Sequence, residues 1–326
     1  MDASEYRKRY EEQLERAAEQ REGYRAFADK STALDERRMA LESAGVLRDE
    51  DEVTEAIDII RDSEEDAELR AAALRAIGIE VGKRHDLIDL AIGLLENSDE
   101  PGVVRRTALQ VLKQSSFRVS VFNPKRPEYL AALRTVIDDQ DASLRQQALE
   151  TLAQEKDEYA QRRLLEGLTD PSEALIPPEN AVQLLGYDIH AEHYPILREM
   201  VQDPPSPEAK QEAVRLLAAD PTSKELLADL LRDKGESREV RNISASGLRS
   251  LAPVEFEEQA REIVLDVDEY DDLQATAIDA LAHFADQEVL SQDTELSERI
   301  EQLREQSPSE KVVSTADKFI SRKSEQ

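Results

Sequence analysis

Apolar residues return along this chain with a helical rhythm. In Leu69-Arg70-Ala71-Ala72-Ala73-Leu74-Arg75-Ala76-Ile77, a small residue stands three places after Arg70, an apolar one follows it, and another closes the box at plus seven. Those spacings gather the apolar positions on one face of an α-helix. The box recurs with zero positions at Arg37, Arg70, Arg105, Arg145, Pro178, Lys210, Arg241, Gln274 and Val313, at intervals of 31 to 40 residues. Plus three is Ala in every copy except one, where it is Ser244, and a close-packed neighbouring helix explains so many small residues in one register. Upstream of each box a second amphipathic segment ends in an acidic turn, as in Ala56-Ile57-Asp58-Ile59-Ile60-Arg61-Asp62. Each repeat is therefore predicted to be a helix pair. Nine such pairs predict an all-α solenoid.

An array of this kind grows by addition, so the 326 residues need no domain boundary. Residues 1–29 are expected to cap the array and supply the outer helix of repeat one, with Tyr6, Tyr10, Leu14, Ala17 and Ala18 making a narrow apolar stripe. A coiled-coil or partner-binding arm is the other reading of that stripe. Residues 30–323 form the continuous array, and 324–326 a short tail. The period lengthens between the third and fourth boxes, where Ser115 to Pro127 adds two Phe, two Val and three basic residues. Pro124 and Pro127 keep this stretch from continuing as helix. It reads either as a projecting contact loop built on Phe117, Arg118, Phe122, Lys125 and Arg126, or as an ordered connection whose Phe residues seal a groove. The second is favoured, since a loop with two Phe generally buries them.

Charge and composition narrow the function. Asp and Glu number 72 against 42 Lys and Arg, a formal charge of −30, which repels phosphate and anionic lipid. Nucleic acid and membrane surfaces are thus unexpected partners. The acidity reads as a heavily solvated surface, or as an attraction for a basic partner. With no Cys there is neither a disulfide nor a thiolate site, and no segment reads as a signal peptide or membrane span, which makes a cytoplasmic location the expectation.

Seven residues return a helix to within about 20° of its starting angle, so the Arg at position zero faces inward with the apolar plus-seven residue. Its natural partner is the acid about eight residues earlier, as Asp62, Asp170 and Asp233 are. Arg37, Arg70, Arg105, Arg145 and Arg241 are expected to join such acids in a structural ladder that pins each turn. At this point the chain resembles the HEAT-repeat family within the armadillo-like solenoids. The resemblance rests on Asp233 with Val240-Arg241 and on Leu144-Arg145-Gln146-Gln147-Ala148-Leu149-Glu150-Thr151-Leu152, and covers roughly residues 30–322. It implies a right-handed superhelix whose second helices line a concave surface used for partners.

No catalytic motif stands out. HEAT-like deoxyhypusine hydroxylases carry repeated His-Glu pairs, whereas here His85, His190, His193 and His283 are followed by Asp, Ala, Tyr and Phe. His190 and His193 lie three apart, but no third metal ligand at repeat spacing accompanies them. Asp266 to Asp272 lacks the Gly and terminal Glu of an EF-hand loop. No cofactor or metal is expected. The leading reading is a non-enzymatic scaffold for a protein or peptide, and a bilin-lyase-like HEAT enzyme or accessory is the alternative. Plus two, plus five and plus nine fall opposite the apolar face of each second helix, which places Thr107, Gln110, Gln114, Gln147, Glu150, Gln154, Asn180, Gln183 and Tyr187 in the groove. Amides both donate and accept, so this stripe suits the backbone of an extended peptide. Equally, Gln is a good residue for any exposed helix surface.

Overall fold

The computed structural model describes residues 26–285, 290 and 292–324. The stripe expected on Tyr6, Tyr10, Leu14, Ala17 and Ala18 lies outside them. Every box falls on a helix. The second helices of the nine repeats are α1 (Leu34–Ala44), α3 (Ala67–Ala76), α5 (Gly102–Ser115), α7 (Ala142–Gln154), α9 (Pro178–Leu185), α11 (Pro207–Leu217), α13 (Arg238–Leu251), α15 (Asp271–Phe284) and α17 (Glu310–Ser324). The first helices of repeats two to nine are α2 (Glu50–Arg61), α4 (His85–Glu96), α6 (Arg126–Val136), α8 (Glu158–Thr169), α10 (Tyr194–Gln202), α12 (Lys224–Arg232), α14 (Pro253–Leu265) and α16 (Thr294–Gln306). No strand occurs among the described residues. The architecture is an all-α array of HEAT-like helix pairs.

Local chemistry starts these helices. The side chains of Asp49, Asp66, Asp141 and Asp293 each accept backbone N–H groups in the first turn of the helix that follows, and Ser206 and Ser237 do the same. Pro178 opens α9, where a missing N–H costs nothing. The buried face then runs through minus one, plus three, plus four and plus seven, as in Leu69, Ala73, Leu74 and Ile77 or Val104, Ala108, Leu109 and Leu112, all at most 1% exposed. Repeat nine keeps the face but shifts it: Val312, Ala316 and Phe319 are buried, while Val313 and Ile320 are half-buried. Small residues do allow close approach. A Cβ on Gly247 would stand 2.9 Å from the Cβ of Ala218, so α13 and the end of α11 pack backbone against backbone.

By its packing the chain divides into two compact units, residues 1–163 and 164–326, with the division inside α8. In unit 1 the short helix Val119–Phe122 and the turn Asn123–Lys125 fill the lengthened connection between α5 and α6. In unit 2 one continuous apolar cluster runs from Val182 and Leu197 through Phe256 and Ile278 to Phe319.

Candidate interaction surface

The inward arginines do form a ladder, but with partners other than those expected. Arg37, Arg70, Arg105 and Arg241 are each at most 6% exposed. Their Nε atoms donate to the carbonyls of Phe27, Ile60, Leu95 and Leu231, ten residues earlier in the same repeat. Three of the guanidinium forks then grip a carboxylate on the turn of the next repeat: Arg37 holds Glu65 at 2.9 and 3.0 Å, Arg70 holds Glu100 at 2.7 and 2.9 Å, and Arg241 holds Glu269 at 2.7 and 2.6 Å. Arg105 reaches Asp139 at 2.5 Å, and Lys210 pairs with Glu236 in the same way.

The aspartates eight residues earlier are engaged elsewhere. Asp62, Asp170 and Asp233 accept the N–H two residues on, from Glu64, Ser172 and Gly235, and so close their own turns. Asp62 also pairs with Lys30 at 2.7 Å. Arg145 departs from the series by donating to the carbonyls of Asp139 and Gln140. The reason lies in reach: an arginine already anchored at minus ten points its fork away from its own turn and toward the next. A sequence signal for this existed and was missed, since Asp62, Asn97, Asp233 and Asp266 are each followed three places later by the Glu that the neighbour uses, Glu65, Glu100, Glu236 and Glu269.

Electrostatics agree with the geometry. The hydrogen bonds from Arg37 hold the Glu65 carboxyl below its ordinary range against the opposing effect of burial. For Glu269 burial is the largest influence and pushes upward, but Arg241, the Tyr270 N–H and Lys234 together outweigh it and the carboxyl is lowered.

A second set of ties joins first helices. Arg134 on α6 meets Asp157 at 2.5 Å, Arg198 on α10 meets Asp220 at 2.6 Å, and Arg261 on α14 meets Asp293 at 2.5 Å. Each aspartate also accepts backbone N–H groups where the next first helix or its leading turn begins.

The second-helix stripe is exposed in part. Gln110, Gln114, Gln154, Gln183 and Tyr187 are exposed, Tyr187 at 50%. Gln147, Glu150 and Asn180 are half-buried, with the Gln147 amide on Ser143 and Glu150 accepting from Gln146. Thr107 does not belong with them. It is 4% exposed, with its hydroxyl 3.4 Å from Arg75, because the face opposite the core narrows where the preceding second helix packs against α5.

In unit 2 the same face carries shallow grooves between successive second helices. One lies between α9 and α11, with Gln183, Tyr187, Glu212 and Arg215. The next, of about 420 Å³, lies between α11 and α13, with Arg215, Asn242, Ile243, Ser246 and Ser250. The third, of about 820 Å³, lies between α15 and α17, with Asp279, His283, Asp317, Lys318 and Arg322. Tyr187, Arg215, Ser246, Ser250, Asp279, His283, Lys318 and Arg322 are all plus-five or plus-nine positions of their repeats.

The lengthened connection in unit 1 treats its two Phe differently. Phe122 is fully buried and meets Tyr129 edge-on at 5.3 Å, whereas Phe117 is 81% exposed. Lys125 pairs with Asp89 and Arg126 with Glu155, so these two hold the connection down. His193 is buried too, its Nδ1 accepting from the His190 N–H at 3.3 Å. Among the described residues no group of three His, Asp or Glu is placed to hold a metal, and no helix is long and apolar enough to cross a membrane.

Residues 53–153 match the family model for HEAT repeats. The matched stretch is built of HEAT repeats. Importin beta, crystallised from ammonium sulfate, aligns with the whole chain at 15% identity and a TM-score of 0.54, and the chain spans 54% of importin beta. YibA from E. coli aligns over 90% of this chain and 99% of its own at 18% identity, with a TM-score of 0.49. The complex of CpcE and CpcF of phycocyanin lyase from Nostoc sp. PCC7120 covers 83% of this chain and 94% of its own at 18% identity, with a TM-score of 0.35. No curated protein matches. At such identities importin beta speaks for the fold alone.

Proposed function

We propose that this chain is a non-enzymatic scaffold that seats a partner protein or peptide on its second-helix face. The observation that carries the reading is the coincidence of the unit 2 grooves with the repeat's plus-five and plus-nine positions. A repeating array that leaves a groove at one register offers a long partner a succession of equivalent footholds. The amide of Gln183 and the hydroxyl of Ser246, both exposed, suit main-chain groups. Supporting this, importin beta shares the fold, and the net charge of −30 favours a partner of basic character. The likeness to the phycocyanin lyase complex is too slight to carry a lyase reading.

Site-specific photo-crosslinking in the native cell tests the reading, with the photoreactive residue placed at Ser246 in the groove or at Val254, which is 77% exposed on first helix α14. A discrete protein adduct from Ser246 and none from Val254 is the expected result. Adducts from Val254 alone would overturn it.

A further inference from the structure

We propose that Phe117, Arg118 and Val119 form a docking tip for an acidic segment of a partner protein that carries an apolar side chain. The proposal goes beyond the groove reading and does not depend on it, since it concerns different residues and the opposite charge. Residues 101–127 contain no Asp or Glu and six basic residues, in a chain where 72 of 326 residues are acidic. Four of the six are engaged: Arg105 with Asp139, Arg106 with Asp141, Lys125 with Asp89 and Arg126 with Glu155. Among the described residues, Lys113 and Arg118 have no carboxylate within ion-pair distance, and both belong to the turn of chain around Phe117.

The tip is exposed yet held. Phe117 is 81% and Val119 56% exposed. Beneath them the Arg118 N–H donates to Ser115 at 2.9 Å, the Phe122 N–H donates to Arg118 at 2.9 Å, and His85 Nε2 lies 3.0 Å from the Val121 carbonyl. Phe122 anchors the base in the core. Arg118 is also positioned, because a Cβ on Gly82 would stand 2.8 Å from its Cδ; the arginine stem lies across the backbone where Gly82 has no side chain. A pre-positioned aromatic loses little conformational freedom when covered, and a planar guanidinium beside it matches a carboxylate. Nucleic-acid strands fit less well, because a single exposed aromatic offers no stacking track for successive bases.

The test uses the full chain and fluorescence polarisation at near-physiological salt, where charges beyond about 8 Å are screened. The probes are short peptides: one of Asp and Glu around a Leu pair, one of Asp and Glu alone, one of Lys and Arg around the same Leu pair, and an oligothymidylate. The acidic Leu peptide is expected to bind, and the other three at least about tenfold more weakly. Phe117→Ala and Arg118→Glu should each weaken it by on the order of tenfold or more, as loss of an anchor residue does, with melting curves unchanged since both side chains are exposed. Gly82→Ala should weaken it as well by displacing the Arg118 stem. Absence of binding, equal binding by the basic peptide or the oligothymidylate, or parental affinity in both tip variants would overturn the proposal. So would a change of sedimentation coefficient on Phe117→Ala, which would make a second copy the occupant.

Discussion

The first three repeats and the later ones keep adjacent helix pairs together by different means. In the first three repeats, position zero is Arg37, Arg70 and Arg105 in succession, each buried and each holding the next turn, before Arg145 departs from the series. In unit 2 the same position runs Pro178, Lys210, Arg241, Gln274 and Val313, and only Arg241 repeats the full arrangement. Gln274 keeps part of it, donating to the Asp266 carbonyl. Where the inner ladder thins, arginines of the first helices take the load: Arg134 in the repeat of Arg145, Arg198 in that of Lys210, and Arg261 in that of Gln274. The repeat thus requires a tie between neighbouring turns, and either face of the helix pair can supply it.

Arg241→Ala should have the largest effect. It leaves Glu269, whose side chain is 3% exposed, without its partner, and removing one member of such a pair costs roughly 3–5 kcal/mol. Arg145→Ala, which loses the bonds to the Asp139 and Gln140 carbonyls, should cost about 1–2 kcal/mol. Urea unfolding of both variants checks the difference, and equal losses would mean that the turn carboxylate is irrelevant. The pair also has a pH signature. Because the folded pKa of Glu269 is lowered from 4.5, its stabilisation is present above that value and is lost as pH falls through the lowered one. The stability gap between the parent and Glu269→Gln should therefore be widest near neutrality and close under acid conditions.

The two ties also differ in how plainly they are written in the sequence. Helices and core were legible because each box packs through residues within one repeat or at the same register of the next. The arginine partners were not, since Glu65 and Glu269 lie 28 residues beyond Arg37 and Arg241, and spacing along one helix says nothing about which turn a fork will reach. Asp62 and Asp233 misled because a turn aspartate satisfies itself on its own backbone. The two Phe of the lengthened connection show the same limit: composition allowed burial or projection, and only the Phe122 contact with Tyr129 separates them. The Gln stripe was legible as exposed surface, whereas the grooves depend on how closely α11 and α13 approach.

Asp157→Ala probes the outer tie. Asp157 is 6% exposed and accepts the Ala160 N–H at the start of α8 while holding Arg134, whose side chain is 45% exposed. Arg134 can return to water, so the loss reduces mainly to that of a helix cap, about 1–2 kcal/mol. Thermal denaturation of Asp157→Ala beside Arg241→Ala should rank the two ties. A larger loss for Asp157→Ala would make the outer tie the stronger.

The smallest expected change improves the protein and isolates the packing that both kinds of tie serve. Plus three is Ala in eight boxes and Ser244 in the one that begins at Arg241. Ser244 is fully buried, and its hydroxyl has no hydrogen-bond partner among the described residues. A buried hydroxyl left unpaired costs on the order of 1–3 kcal/mol, of which Ala recovers a part while keeping the small volume that close helix approach needs. Ala is also the better helix former by a few tenths of a kcal/mol. Ser244→Ala should therefore raise stability by about 1 kcal/mol, read as a higher urea midpoint with an unchanged slope. Ser244→Leu should lower it, because the added methyl groups must push α13 away from its neighbours. If Ser244→Ala were destabilising, the hydroxyl would have a partner that packing alone does not provide, and the small-residue register would owe its recurrence in this repeat to hydrogen bonding rather than to close approach.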